Sequence, residues 1–417
     1  MTPHRPTSTI FFILMAVLID MIAVGVIMPV LPALVGSFSA SKADNAFWYG
    51  VVACSFGAAN FLGAPILGAL SDRFGRRPVL LTSFSVMAGC LLLTGLARSL
   101  AMLVALRFVS GFSQSNVAIA QAAVADVTEP AQRGQRFGLI GSMVGLGYIL
   151  GPVLGGLLGD VDLHLPFFVS GTLAAANAAF GWFVMPETLP AAQRVPLAWK
   201  RLTPFASIHE LASLGGVGPL AAVISLAYLA QFILPATWAL VMKFKFGWGP
   251  RETGWSLFAY GLMLVVAQGF LIRFVLARRS PRWLTLAGLL SAALAFIAYG
   301  LAWAPWVVYA AIGANVLGFM CGPAMTTLVS QAAGGASQGR TLGSLAALNS
   351  VAAAVAPAIG SGLLVAVSAL PADDWRLGAP FYASSLLLLA AAAVAAFTFH
   401  RTQADQPHAT GPHFSRS

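Results

Sequence analysis

Long apolar runs recur from the beginning of this chain to about residue 400, separated mostly by short polar turns. Of the 417 residues, 59% are hydrophobic and only 9% are charged, a balance that a soluble globular protein does not have. Such a chain requires a lipid solvent. At about 20 residues per spanning helix, its length accommodates roughly twelve spans.

The apolar runs predict an all-α membrane protein with twelve transmembrane helices in two pseudo-symmetric six-helix bundles. The predicted helices are 11–36, 47–70, 78–98, 100–127, 136–158, 165–186, 217–243, 252–277, 283–303, 305–333, 341–366 and 378–400. The one long polar connection divides the chain into an N-terminal bundle (1–186), a cytoplasmic linker (187–216), a C-terminal bundle (217–400) and a disordered tail (401–417).

Loop charge predicts the orientation. With the N-terminus inside, sixteen of the 23 Lys and Arg residues fall in cytoplasmic segments, six fall on the opposite side and Arg107 lies within a span. The positive-inside rule therefore places both termini in the cytoplasm, and we expect a multi-pass protein of the bacterial inner membrane.

The two halves of the chain repeat one another. At a constant offset of 205, four small or helix-bending residues recur: Gly134, Gly138, Pro152 and Gly155 align with Gly339, Gly343, Pro357 and Gly360. Both halves keep the same in–out sense, so the repeat is parallel. Transporters built in this way bind substrate near the midplane, between the halves.

Two other classes of protein find no support in the sequence. The net charge of +10 is spread over loops rather than over one face, which argues against nucleic-acid binding. No Ser/His/Asp set, phosphate loop or metal cluster is present, so we expect neither an enzyme nor a metal site. The three cysteines fall in apolar runs and are interpreted as small core residues.

Two charged residues lie within predicted spans. Asp20 is at hydrocarbon depth, where a carboxylate costs at least ~2.5 kcal/mol, so it must protonate, pair or face water. We interpret Asp20 as a proton-sensing group; the alternative is a structural hydrogen bond. Arg107 either modulates proton release or anchors a helix through backbone carbonyls.

Polar and aromatic side chains within the spans predict a substrate cavity. Buried amides are costly in hydrocarbon and should face a cavity or another helix, and aromatic or thioether neighbours suit a flat, partly apolar ligand. The candidates are Asn60, Gln114, Asn116, Gln121, Gln231, Gln268, Tyr228, Trp238, Tyr260, Met263, Asn315, Phe319 and Asn349.

Two glycine-rich stretches carry most of the remaining signal. The first is a charged turn between two apolar runs and includes Gly68, Asp72, Arg73, Gly75, Arg76 and Arg77. The second is a small-residue seam that lets one helix approach a neighbour closely: Gly138, Gly147, Gly151, Pro152, Gly155 and Gly156. Asp126, at the cytoplasmic end of the fourth predicted helix, completes a charge cluster with the first stretch.

These motifs resemble signatures of the major facilitator superfamily. The turn Gly68–Arg77 is similar to its cytoplasmic 2–3 loop, Arg107–Gly111 to its helix 4 motif, and the seam to that of its proton-coupled exporters. Asp20 with the Pro29-Val-Leu-Pro32 segment looks most like the tetracycline-efflux branch of the drug/proton antiporters.

The resemblance implies roles for these residues. Arg76 should pair with Asp126, and Asp72 should meet the start of helix 11, so that the cluster latches the halves together on the cytoplasmic side. Arg107 is implicated in proton coupling, and the seam in gating or leak prevention. The sequence departs from the branch in its C-terminal half, where Leu264 and Ser291 lie near positions that carry a histidine and an aspartate.

The expectation is therefore proton-driven export of an amphiphilic small molecule by a monomer that needs no cofactor. The alternative is a carrier of a metabolite or siderophore, including an importer. A membrane enzyme or receptor on the same scaffold is the third possibility.

Overall fold

The computed structural model describes the backbone of residues 6–196 and 218–404, and side chains within 9–129, 131–196, 218–331 and 345–401. Across these ranges the chain is helical and contains no strand. The linker beyond residue 196 and the tail beyond residue 404 lie outside the described residues.

The described N-terminal half contains eight α-helices and two short 3-10 turns. The α-helices are α1 (Pro6–Ile27), α2 (Leu31–Ser37), α3 (Lys42–Phe74), α4 (Arg76–Gly95), α5 (Leu100–Phe112), α6 (Asn116–Asp126), α7 (Arg133–Val161) and α8 (Leu165–Val184).

The described C-terminal half contains seven α-helices and a π-helical segment. They are α9 (Gly218–Phe246), α10 (Pro250–Val265), the π segment (Val266–Leu271), α11 (Ile272–Leu276), α12 (Pro281–Leu301), α13 (Pro305–Ala314), α14 (Val316–Val367) and α15 (Ala379–Ala404).

Ten of the described helices are long and apolar enough to cross a membrane, and eleven if α13 and the first arm of α14 form one bent span. The angle at that bend is 42°. The predicted fourth helix is present as α5 and α6, which are separated at residues 113–115. This break explains why neither piece is long enough to be a span alone.

Two other predicted boundaries are wrong. The first predicted helix, 11–36, ends at Ile27, and Pro32 stands in the first turn of a separate helix, α2. Proline lacks the backbone donor that a continuing helix needs. The predicted gap at 334–340 is helical, so that α14 holds the second part of the tenth predicted helix and all of the eleventh.

The two halves meet along α3 with α14 and along α7 with α10. A Cβ built at Gly57 would lie 2.8 Å from the Cα of Ala354, and one built at Gly254 would lie 3.1 Å from the Cα of Gly156. At the opposite helix ends, Gly68 and Gly269 have no described atom within 4 Å of such a Cβ. The close backbone contacts between the halves therefore lie from the middle of the spans toward the side remote from the termini, whereas Gly68 and Gly269 have none among the described residues.

We expect Gly254→Leu to prevent closure of the side remote from the termini, because the new side chain must occupy space that the backbone of α7 fills. Overpacking of this kind costs about 1–3 kcal/mol, so transport should fall roughly tenfold. The distance between spin labels at residues 40 and 306, one in each half, should increase.

Gly269→Leu is the matched control, because it lies further along the same span in open surroundings. Equal loss of transport in both variants would contradict the proposed contact.

Candidate functional site

Asp20 lies inside the N-terminal bundle, on the helix that packs against α7 and α8. Its side chain is 1% exposed. One carboxyl oxygen, Oδ1, accepts a 3.0 Å hydrogen bond from Nδ2 of Asn116, whereas Oδ2 has no hydrogen bond of good geometry among the described residues. The side chain of Gln114 also interacts with this carboxyl. No ion pair joins Asp20 to a described basic residue, so its second oxygen is available to a proton.

The break between α5 and α6 positions the partner of Asp20. The side-chain amide of Asn60, on α3, donates a 2.7 Å hydrogen bond to the backbone carbonyl of Gln114 in the break. Asn116 is the first residue of α6. The carboxyl of Asp20 therefore lies at a helix N-terminus, whose partial positive charge stabilises an anion.

The C-terminal half repeats this construction without the acid. The side-chain amide of Gln268, in the π segment, donates a 2.8 Å hydrogen bond to the backbone carbonyl of Phe319 on α14. Near this contact, the hydroxyl of Ser291 donates to Oδ1 of Asn315 at the break between α13 and α14. Asn60 and Gln268, predicted to line a substrate cavity, thus each use their amide nitrogen to cap a backbone carbonyl.

Arg107 is 8% exposed, and its Nε and Nη2 atoms have no hydrogen-bond partner among the described residues. The groups that interact with it electrostatically are Tyr49 and Cys90. No ion pair joins Arg107 to Asp20 among the described residues.

The glycine seam of α7 serves two neighbours. Gly147, Gly151 and Gly155 face the backbone of α1, whereas Gly156 faces the start of α10 in the other half. A Cβ built at Gly138 would meet no described atom within 4 Å. The seam therefore packs against α1, which carries Asp20, and also takes part in the contact between the halves. Pro152 lies among these glycines in α7.

The charge cluster on the predicted cytoplasmic side is centred on Arg76. Its Nη1 donates to Asp72 at 2.5 Å and its Nε donates to Asp126 at 3.1 Å. Gly75 has a φ of +107°, which allows the backbone to turn sharply between α3 and α4. The guanidinium of Arg73 stacks on Phe74, and that of Arg77 lies over the indole ring of Trp182. The side chains at the start of predicted helix 11 lie outside the described residues.

Glu187 was not predicted, and it belongs to the same cluster. Its Oε1 accepts hydrogen bonds from the backbone N–H of Arg76 at 2.8 Å and of Leu189 at 3.0 Å. The hydroxyl of Thr188 donates to Asp126, and the N–H of Val195 donates to the carbonyl of Asp72. The beginning of the linker is thus fastened to the N-terminal half. A polar residue just after a span carries no spacing signal that would reveal this contact.

The predicted cavity residues differ in their exposure. Gln121, Gln231 and Gln268 are exposed; Asn60, Gln114, Tyr228, Tyr260, Met263 and Asn349 are half-buried; Asn116, Trp238, Asn315 and Phe319 are buried. The rings of Tyr260 and Phe319 form an edge-to-face pair with centroids 4.8 Å apart.

Trp238 is not a cavity residue in this structure. Its ring is 2% exposed and packs against Tyr299 and Phe381 in the core of the C-terminal half, where its indole N–H donates to Ser256. A large ring with a polar N–H is equally typical of a binding site, so residue type alone could not distinguish a core position from a cavity position.

Comparison with known proteins agrees with this architecture. The profile of the Major Facilitator Superfamily matches residues 13–218 and 220–414. This chain belongs to the major facilitator superfamily. It is 31% identical over 379 residues to the class C tetracycline resistance protein of Escherichia coli, covering 91% of this chain and 95% of that protein. It is 32% identical to the class D protein of Salmonella ordonez, covering 88% and 93%. The predicted resemblance to the tetracycline-efflux branch is confirmed.

Solved structures show the same fold. The bacterial homolog to the human lysosomal transporter Spinster, inward-facing and occupied, superposes with a TM-score of 0.75 at 16% identity, covering 98% of this chain and all of that one. The human organic anion transporter MFSD10 (TETRAN) gives a TM-score of 0.68 at 24% identity, covering 94% of this chain and all of that one. The chain is therefore a membrane transporter by family and fold.

We expect Glu187→Ala to release the start of the linker, because two backbone donors lose a charged acceptor. Hydrogen bonds to charged groups contribute about 1.5–3 kcal/mol, so tryptic cleavage at the exposed Arg194 should accelerate at least tenfold.

Glu129→Ala removes an exposed acid on the same side and should leave the cleavage rate unchanged. An unchanged rate in Glu187→Ala as well would show that this acid does not hold the linker.

Proposed function

We propose that this transporter exports an amphiphilic small molecule across the bacterial inner membrane in exchange for protons, by alternating access. The observation that carries the proposal is the buried carboxyl of Asp20, which has one oxygen without a hydrogen bond of good geometry among the described residues and lies at the N-terminus of a broken helix. The kinship with tetracycline resistance proteins supports export.

A carboxyl in this position suits reversible protonation. Burial in an apolar bundle disfavours the charged form, whereas the Asn116 amide and the N-terminus of α6 favour it. Because these effects oppose one another, a change in the water or cargo around the carboxyl can shift the balance between its two forms. Tyr148, on α7, also lies close enough to interact with the carboxyl, and it is 41% exposed.

The arrangement of the halves supplies the other requirement. Their close backbone contacts lie away from the side where Asp72 and Arg76 are found, as expected of two bodies that can open on that side. In the proposed cycle, Asp20 takes a proton from outside and releases it when the cytoplasmic side is open and cargo binds.

Each proton that moves inward gains about 2.3 kcal/mol per 100 mV and about 1.4 kcal/mol per pH unit. One proton per cycle therefore supports a cargo gradient of at least about tenfold.

The proposed cargo is inferred from the polar and aromatic side chains within the spans. Amides such as Gln121 and Gln231 and the aromatic pair of Tyr260 with Phe319 suit a flat molecule with both polar and apolar parts. The C-terminal half has no acid at Ser291 and no histidine at Leu264. We therefore do not extend the cargo of the tetracycline resistance proteins to this chain.

Asp20→Asn is the direct test, because asparagine keeps the size and polarity of the side chain but cannot carry the proton. In proteoliposomes with an imposed pH gradient, we expect active efflux to fall by at least a hundredfold while cargo binding stays measurable. The matched control is Asp373→Asn, which changes an exposed acid in the segment before α15.

Full active efflux by Asp20→Asn would remove this residue from the mechanism. A growth-inhibition panel across drug classes, run with both variants in an efflux-deficient host, identifies the cargo. Accumulation of a metabolite driven by an inward proton gradient would instead establish the alternative, an importing carrier.

A further inference from the structure

A groove of about 430 Å³ lies between α12 and α13, two helices of the C-terminal half. Five alanines and the side chains of Leu290 and Leu294 form most of its wall, and Ser291 and Asn315 are its polar residues. The small alanine side chains create the space.

The groove faces the bilayer at mid-depth. α12 packs against α13, α14 and α15 of its own half. Leu290 and Leu294, on the rim, are 46% and 67% exposed. Ser291 is near the middle of α12, and Asn315 is at the bend between α13 and α14. A molecule in the groove would therefore lie in the hydrocarbon region of the membrane.

The floor of the groove consists of polar groups, for which hydrocarbon offers no hydrogen-bond partner. The Ser291 hydroxyl donates a 3.2 Å hydrogen bond to Oδ1 of Asn315, whose side chain is 3% exposed. The hydroxyl of Tyr299 interacts with Asn315 from the inner side; it is fully buried and has no hydrogen bond of good geometry among the described residues. α14 begins at Val316, so the unpaired N–H groups of its first turn also lie at this level.

The equivalent break in the N-terminal half has the acid Asp20 beside it, whereas this one has only amide and hydroxyl groups. The floor therefore offers hydrogen bonds but no charge. A purely apolar acyl chain would leave the floor unpaired, and a charged molecule would find no counter-ion.

We propose that this groove binds an uncharged, bilayer-dissolved molecule that carries a hydroxyl or carbonyl group on an apolar body. The oxygen lies against Ser291 and Asn315, and the apolar body lies along the alanines and the two leucines. Asn315, predicted from the sequence as a cargo-cavity residue, lies in this groove of the C-terminal half. Binding here does not depend on proton coupling.

The test uses the full chain in phosphatidylethanolamine–phosphatidylglycerol vesicles. The probe is a medium-chain alcohol that carries a photoactivatable diazirine, and its comparison is the diazirine hydrocarbon of the same length. Adducts are located by mass spectrometry of peptides from α12 and α13. We expect saturable labelling by the alcohol, competed by unlabelled octanol.

Two variants and one control define the site. Ala314→Phe fills the groove and should abolish saturable labelling, and Ser291→Ala removes one polar group and should weaken it about fivefold. Ala390→Phe adds the same bulk at an exposed position on α15 and should change nothing. Asp20→Asn should label like the native protein, which separates this site from the proposed function.

Equal labelling by the alcohol and the hydrocarbon, or labelling that rises without saturation, would show ordinary lipid contact and overturn the proposal. Undiminished labelling of Ser291→Ala would also overturn it. This variant removes a single atom, so its result decides the matter even if Ala314→Phe fails to fold.

Discussion

The cost of an unpaired polar group in hydrocarbon is the constraint on which this structure depends. A spanning helix satisfies its own backbone, and each place where it does not requires a partner from a neighbouring helix. The two broken spans meet this need in the same way: an amide side chain, Asn60 in one half and Gln268 in the other, caps a freed carbonyl. The breaks are therefore stable features around which polar chemistry can be arranged.

The two halves use equivalent breaks for different purposes. In the N-terminal half the break places a helix N-terminus and Asn116 against a lone carboxyl. In the C-terminal half, Ser291 and Asn315 replace that charge with neutral groups. Duplication preserved the backbone geometry while the side chains diverged, so an acid in one half and none in the other is consistent with one half handling protons and the other adapting to cargo.

The fold was largely predictable, because the apolar runs and loop charges follow directly from the membrane as a solvent. The broken fourth helix was not, since residues 113–115 contain neither glycine nor proline and its capping partner Asn60 is 54 residues away in sequence. The Arg76–Asp126 pair was expected from a known motif. The acceptor role of Glu187 and the core position of Trp238 depend on contacts between distant segments, which a single sequence does not encode locally.

The contact between the halves brings backbone against backbone, at Gly57 with Ala354 and at Gly156 with Gly254. At these two points no large side chain must change rotamer before the helices part. A joint with such smooth points of contact can slide or hinge without first being unlocked.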